Sequence, residues 1–379
     1  MNTKITFYPV LNGDCSLIEF SNNQKMMFDC NFRADAEDDK KEDFNVYKDL
    51  LENKLKTMHK GLPYLDAFVL THPDQDHGRG FGDKFFYGKN PENQREAPSK
   101  ADKDSNKIII GELWYSPRIF SEHENDLCED AKKFKEEAER RMKLHKEKSA
   151  DRNKPGNRIR IIGYSDVDAL EDIPSDLISA VGDTIEKLNG ITLTEFRFFA
   201  HAPFKEHIDG DSRNATSIVL QIRVDAGNKK DVGNIILGGD SEWRVWKKIL
   251  DETCDEKNLQ WNILEAPHHC SYTFFADSRD EEPNQSSLDF LAKRINNGFI
   301  VSSSKTIKKN SDNPPCQKAK NKYIKSLDDN EDYFKCTTVE DIQKPVIFEI
   351  KSDGVHLVEI QEEKTEKKSN IGRREHLYG

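Results

Sequence analysis

Apolar positions along this chain fall mainly in short runs, continuous or alternating with polar residues, separated by polar and turn-forming stretches. That is the pattern of strands rather than of long helices. Residues 3–10, 16–20 and 25–29 read as strands, with Asn12-Gly13-Asp14 supplying turn chemistry between the first two. Phe44, Tyr47, Leu51 and Leu55 recur at helical spacing and predict a helix over about 43–58. Leu65–Leu70 reads as a buried strand, and the polar, proline-broken stretch 87–107 as a long loop. Further strands are expected at 108–115, 158–163, 191–200, 216–224, 233–238, 261–265, 298–302 and 345–350. Within 122–149, Leu127, Ala131, Phe134 and Ala138 form one narrow apolar stripe on an otherwise charged segment, which predicts a surface helix with a thin docking face. This cadence of strand, polar turn and helix predicts a layered α/β fold.

Composition narrows the class. A chain of 379 residues can bury a substantial core, read here as one elaborated domain over residues 1–360, with a charged helical insert at about 116–180 and a polar tail at 361–379. Charged residues make up 34% and mean hydropathy is -0.82. No apolar run approaches the ~20 residues of a membrane span, so no membrane partner is expected. The opening MNTKITFYPV lacks the charged-then-apolar layout of a secretion signal, so the expected location is cytoplasmic, with the seven scattered cysteines reduced. A net charge of -11 argues against indiscriminate nucleic-acid binding. One stretch departs from that balance: residues 305–325 carry seven lysines against a single acid, Asp312. The run reads either as a solvated charged loop or, were it to lie beside a metal cleft, as a patch that attracts phosphate, with Lys308, Lys309, Lys320 and Lys322 the candidate contacts to a nucleic acid or nucleotide. The 122–149 helix is the candidate surface for a protein partner.

Chemistry concentrates where strands end. His72, Asp74, Asp76 and His77 stand within six residues directly after Leu65–Leu70. Asp240 follows the apolar Ile235-Ile236-Leu237 and two glycines, and His268 and His269 follow WNILEAP. Imidazoles and carboxylates converging from several strand ends are how α/β folds build metal sites.

The ordered set GDCSLIEF, MMFDCN, THPDQDHGRG, FFAHAPF, NATSIVLQI, LGGDSE and APHHCS resembles the metallo-β-lactamase fold superfamily, and within it the hydrolase domain of ComEC-type DNA-uptake proteins. The resemblance spans residues 13 to 271. It implies a four-layer αββα sandwich with two divalent ions, Zn²⁺, Mn²⁺ or Fe²⁺, in the cleft between the sheets. By position, His72, Asp74, His201 and Asp240 would hold one ion, and Asp76, His77, Asp240 and His268 the other, with Asp240 shared. Most of the superfamily has His-x-His-x-Asp-His, so Asp74 replaces a histidine, as in this branch. Asp29 would brace the ligand loop, Asn214 and Ser217 would face the cleft, and His269 would support the chemistry or contact substrate beside Asp76, His77 and Asp240.

The implied function is a metal-dependent hydrolase, foremost a phosphodiesterase or nuclease using a metal-bound hydroxide. The alternatives are ester, lactone or peptide-bond hydrolysis, or a metal-binding regulatory subunit of a multi-protein complex such as an antiviral defence assembly. Two departures stand out. Cys270 occupies a position where relatives carry glycine, which would narrow the cleft or bring a thiol into it. Asn313-Pro314 stands where they carry His-Pro, leaving protonation of a leaving group to another donor.

Overall fold

The computed structural model describes residues 1–38, 43–55, 58–88, 97–207 and 212–358. The tail at 361–379 lies outside them. The chain is α/β, built on two mixed sheets. The first runs in the order 354–358, 346–351, 3–7, 16–19, 25–28, 62–70, 109–115, 158–162, 178–179. Its first five strands are antiparallel, and pairing turns parallel from 25–28 onward. The second runs 184–185, 196–202, 219–226, 229–237, 261–265, 294–302, 334–336, likewise antiparallel first and parallel from 229–237 onward. Each sheet therefore gathers a set of strand carboxyl ends at one edge.

Period-two alternation decides which residues face which layer. Ile18, Met26, Phe28, Ala67, Val69 and Trp114 of the first sheet share one buried layer with Phe196, Phe198, Leu220, Ile222, Ile235, Leu237 and Ile263 of the second. Phe20 and Phe196 stack across it with ring centroids 3.6 Å apart. The alternate residues Leu17, Met27, Phe68, Leu70, Leu113 and Tyr115 pack outward, against Phe81, Phe85 and the helix Glu129–Lys146. On the other side Val219, Ile236, Leu264 and Ile300 meet Trp246, Ile249, Phe290 and Tyr323. Central strands buried on both faces explain why their sequences read as continuous apolar runs.

The expected strands are found with shifts of a few residues, apart from 191–200. There Asn189 and Gly190, both left-handed, close a small hairpin of 187–188 with 191–192, and the long strand starts only at Phe196. The helix expected at 43–58 is a turn at Val46–Asp49, capped by the Asn45 side chain accepting from the Lys48 amide at 2.9 Å and continued by a wider turn at Leu50–Lys54. The stretch 87–107 contains a short helix at Lys100–Asp104, and residues 89–96 lie outside the described set. The region 116–180 is less of an appendage than its charge suggests, because 158–162 and 178–179 extend the first sheet. Its helix starts at Glu129, and besides the expected stripe it buries Glu137 and Arg141 completely.

Candidate metal centre

The parallel strand ends bring the three clusters together. His72 to His77 follow the strand Leu62–Leu70, Asp240 follows Lys229–Leu237, and His268 and His269 follow Trp261–Glu265. The Asp74 carbonyl accepts from the amides of His77 and Gly78, both at 3.1 Å, which starts a single helical turn at Gln75–Gly78 that carries Asp76 and His77. Gly239 has φ +48, and a Cβ there would stand 2.8 Å from Thr71 Oγ1, so glycine lets the Asp240 loop lie against the loop of His72. The Gly239 carbonyl then accepts from the His268 amide at 3.0 Å, tying the third loop to the second.

Asp240 is buried at the middle, and four imidazoles turn Nε2 toward it. On one side Nε2 of His77 and His269 lie 3.1 and 3.3 Å from Oδ1. On the other, Nε2 of His72 and His268 lie 3.7 and 3.6 Å from Oδ2. Asp74 joins the second pair, with Oδ2 3.5 Å from His72 Nε2, and Asp76 joins the first, with Oδ2 3.5 Å from His269 Nε2.

Each imidazole is pinned at Nδ1 by an oxygen. Asp29 Oδ2 lies 2.7 Å from Nδ1 of His77, Thr71 Oγ1 3.2 Å from that of His72 and Thr273 Oγ1 3.0 Å from that of His268, while Nδ1 of His269 meets Asp14 Oδ1 at 3.1 Å and accepts from the Gly13 amide at 3.2 Å. Such contacts fix ring orientation and leave the other nitrogen free for a ligand. Nε2 of His72, His77 and His269 and Oδ1 of Asp240 are buried with no hydrogen-bond partner among the described residues. Orphaned buried polar atoms that converge are what a cation would satisfy. Asp14, His77, Asp240 and His269 in particular form a buried group able to hold a metal ion, with ligand atoms all within 4.8 Å of one another.

The buried carboxylates of the centre draw positive charge close to them. Burial opposes ionisation of Asp240, but His77, His269 and His268 outweigh it and hold its carboxyl well below the usual range. Burial also opposes charge on His77 and His269, yet Asp240 with Asp29, and Asp240 with Asp14, push the two imidazoles well above theirs. Asp76 is disfavoured as an anion by burial but is pulled down to about 2 by the adjacent His269 imidazole and by His77. In His268, burial outweighs Asp240 and lowers the pKa.

Three assignments change. His201 does not reach the centre: it is buried on the outer side of its sheet against Phe199, and its Nε2 donates to the Asn258 carbonyl at 2.8 Å. The alternation explains this, since Phe198 and Ala200 point between the sheets and His201 away from them. His268 takes the side assigned to His201, and His269, expected only to support, takes the side assigned to His268. This follows from three consecutive left-handed residues, His268, His269 and Cys270, with φ of 51, 51 and 66. The tight turn sets the two rings at 79°. Left-handed backbone costs roughly 1–2 kcal/mol per residue, and such strain clusters at functional sites.

The remaining expected residues divide. Asp29, itself left-handed at φ 53, accepts from the Thr71 amide and hydroxyl at 2.7 and 2.5 Å as well as bracing His77. Asn214 Nδ2 lies 3.5 Å from His268 Nδ1, whereas the Ser217 hydroxyl is buried without a partner among the described residues. Lys308 lines a cleft of about 550 Å³ with Lys305, Arg33 and Asn12 and with Asp43, Asp312 and Asp341, and it pairs with Asp341 at 3.3 Å while Arg33 pairs with Asp43 at 3.1 Å. This cleft borders the centre, because Asn12 bonds to the Lys305 amide and the Pro314 carbonyl two residues before Asp14. Lys309 is exposed, Lys320 sits over Phe334 and Lys322 lies 3.4 Å from Glu282. Asn313 is a brace, its Oδ1 accepting from Ser271 Oγ and the Tyr272 amide at 2.9 and 2.7 Å.

Asp14, Thr71, Thr273 and Arg213 escaped the sequence reading. Asp14 was hidden in a turn signal: Gly13, at φ +147 with a would-be Cβ 2.7 Å from the Asp76 carbonyl, makes the close approach that seats it. Arg213 donates from Nη1 to Asp74 Oδ1 at 2.8 Å. Among the described residues no helix is long and apolar enough to cross a membrane. No family model matches the chain, and no curated protein matches it significantly.

The placement of His201 carries its own prediction. Burial, against the Asn258 hydrogen bond, depresses its pKa to about 4. As pH falls below the unfolded value of ~6.5, the unfolded chain takes up a proton that the native state refuses, so stability is lost down to about pH 4, by roughly 3 kcal/mol in all. His201→Gln is expected to flatten this acid limb, measured by denaturant unfolding of metal-free protein at pH 7 and 4.5. An unchanged pH dependence would refute the assignment.

Proposed function

We propose that the protein is a two-metal hydrolase of the metallo-β-lactamase fold type, acting on phosphodiesters. One observation carries the reading: four imidazoles, each fixed at Nδ1, present Nε2 in pairs to the two oxygens of one buried carboxylate. His72, His268 and Asp74 would hold one ion and His77, His269 and Asp76 the other, with Asp240 shared and Asp14 orienting His269. A mixed imidazole and carboxylate set suits Mn²⁺, Fe²⁺ or Zn²⁺. Ions held there would supply Lewis acidity and an activated water. The chain's own part is to fix ring orientation through Asp29, Asp14, Thr71 and Thr273 and to exclude bulk water around Asp240. Two sheets sharing one apolar layer, with helices on both outer sides, support the αββα reading. The substrate class rests on the resemblance and on the paired arrangement itself, since the bordering cleft balances Arg33, Lys305 and Lys308 against Asp43, Asp312 and Asp341.

The test is elemental analysis of protein reconstituted with Mn²⁺ or Zn²⁺, with turnover of bis-p-nitrophenyl phosphate, linear DNA and an ester panel. About two ions per chain and phosphodiester turnover are expected. At most trace metal would overturn the site, and ester turnover without phosphodiester turnover would overturn the substrate class. For nucleic acid, Lys305→Glu with Lys308→Glu is expected to weaken binding and reduce the salt slope by about 2, while Lys320→Glu with Lys322→Glu leaves the slope unchanged. Equal effects of the two pairs would show that the cleft has no special role.

A further inference from the structure

The segment 118–146 is charged enough to pass for a solvated attachment, yet its polar contacts end on the turn that carries the ligands. Arg213 links them on one side. Its Nη1 donates to Asp74 Oδ1 at 2.8 Å, its Nε to Glu122 Oε2 at 2.9 Å and its Nη2 to the Asp126 carbonyl at 2.8 Å. Glu122 is itself held by Arg118, whose Nε donates to Oε1 at 2.5 Å. On the other side, at the start of the helix Glu129–Lys146, the Asp130 carboxylate accepts from the amides of Gly80 and Gly82 at 2.9 and 3.0 Å. Glu137 on the same helix accepts from the Gly88 amide at 2.7 Å. Glu137 is fixed in turn by Arg140 and Arg141, and Arg141 donates to the carbonyls of Ile110 and Arg158 in the sheet, both at 3.1 Å.

We infer that Arg213 and Asp130 are positioning residues through which the segment 118–146 holds the turn bearing Asp74, Asp76 and His77 in ligand-ready form. The contacts fall on both sides of Asp76 and His77, so together they fix the turn's ends while leaving its ligand atoms facing Asp240. Because Arg213 engages Asp74 Oδ1, the other oxygen faces His72. A planar fork that binds two carboxylates and a carbonyl at once cannot be replaced by lysine, which offers one point charge. Order in the segment and occupation of the centre are then reciprocally linked: whatever loosens one weakens the other. The inference rests on the two-metal reading for its effect on metal affinity, but the bracing of the turn can be tested without metal.

The experiment compares wild type with Arg213→Gln, Arg213→Lys and Asp130→Asn, the last keeping size and one acceptor. Mn²⁺ affinity is read by calorimetry, and amide hydrogen exchange over 72–82 and 118–130 is read with and without Mn²⁺. Each variant is expected to bind Mn²⁺ roughly 10- to 100-fold more weakly, the usual cost of removing an outer hydrogen-bond partner. Exchange across 74–82 is expected to quicken in metal-free variants while the strands at 62–70 and 229–237 stay protected, and Mn²⁺ is expected to slow exchange at 118–130 in wild type. Wild-type affinity in the variants, or quickened exchange throughout the sheets, would overturn the inference. If wild type takes up no Mn²⁺, the two-metal reading fails, and exchange across 74–82 in the metal-free proteins still decides whether the segment braces the turn.

Discussion

Asp240→Asn is expected to abolish binding of both divalent ions and to cut hydrolysis roughly 10³-fold or more, the scale of removing a central electrostatic contribution. The reason is geometric: its two oxygens face two separate imidazole pairs, which makes it the residue common to both among the described residues. The single-sided variants separate this account from a generally weakened site. His72→Ala and His269→Ala are each expected to cost one ion, and His201→Gln to cost none, because His201 bonds to Asn258 on the far side of its sheet. Metal content per chain, measured after reconstitution and desalting, reads all four directly. Loss of one ion in Asp240→Asn, or of any ion in His201→Gln, would show that the centre is built differently.

The sequence carried the strands well because most are buried on both faces and leave apolar runs bounded by turns. It also carried the residue types that gather at the centre, since His72 to His77, Asp240 and the His268-His269 pair each follow such a run. What it could not carry was direction. Whether His201 faces the cleft or the outer layer depends on register within Phe196–Ala202, which a stretch rich in phenylalanine on both faces does not reveal. The left-handed turn at 268–270 is equally hidden, because left-handed backbone is signalled by glycine or asparagine and here falls on two histidines and a cysteine. Asp14 shares its turn with Asn12 and Gly13, and a turn explains all three without chemistry. The charged segment looked solvated because nothing in a row of Glu, Arg and Lys tells that Glu137 and Arg141 are paired and fully buried. Their position is decided by partners more than twenty residues away, the Gly88 amide and the Ile110 carbonyl.

Chelation of the divalent ions is expected to remove hydrolytic activity by roughly 10³-fold or more, with recovery on adding back Mn²⁺ or Zn²⁺, whereas Cys270→Ser is expected to keep most of it. Cys270 beside His269 has the sequence appearance of a nucleophile and its base. The structure turns the thiol the other way. Cys270 is fully buried in the apolar layer with Ala266, Tyr272, Cys316 and Tyr323, and Sγ lies 3.9 Å from the Cys316 carbonyl. Burial pushes its pKa well above the usual thiol range, so it offers little thiolate at neutral pH. The imidazole of His269 is committed elsewhere, to Asp14, Asp76 and Asp240. Cys270 thus neither narrows the cleft nor supplies it with a thiol; it fills the core at a left-handed position where glycine would sit without backbone cost. The serine variant should show its effect in stability, losing about 1–3 kcal/mol for a hydroxyl buried among apolar side chains, measured by denaturant unfolding. Activity that resists chelation but disappears in Cys270→Ser would reverse the argument, because only a thiol nucleophile predicts that pair of results.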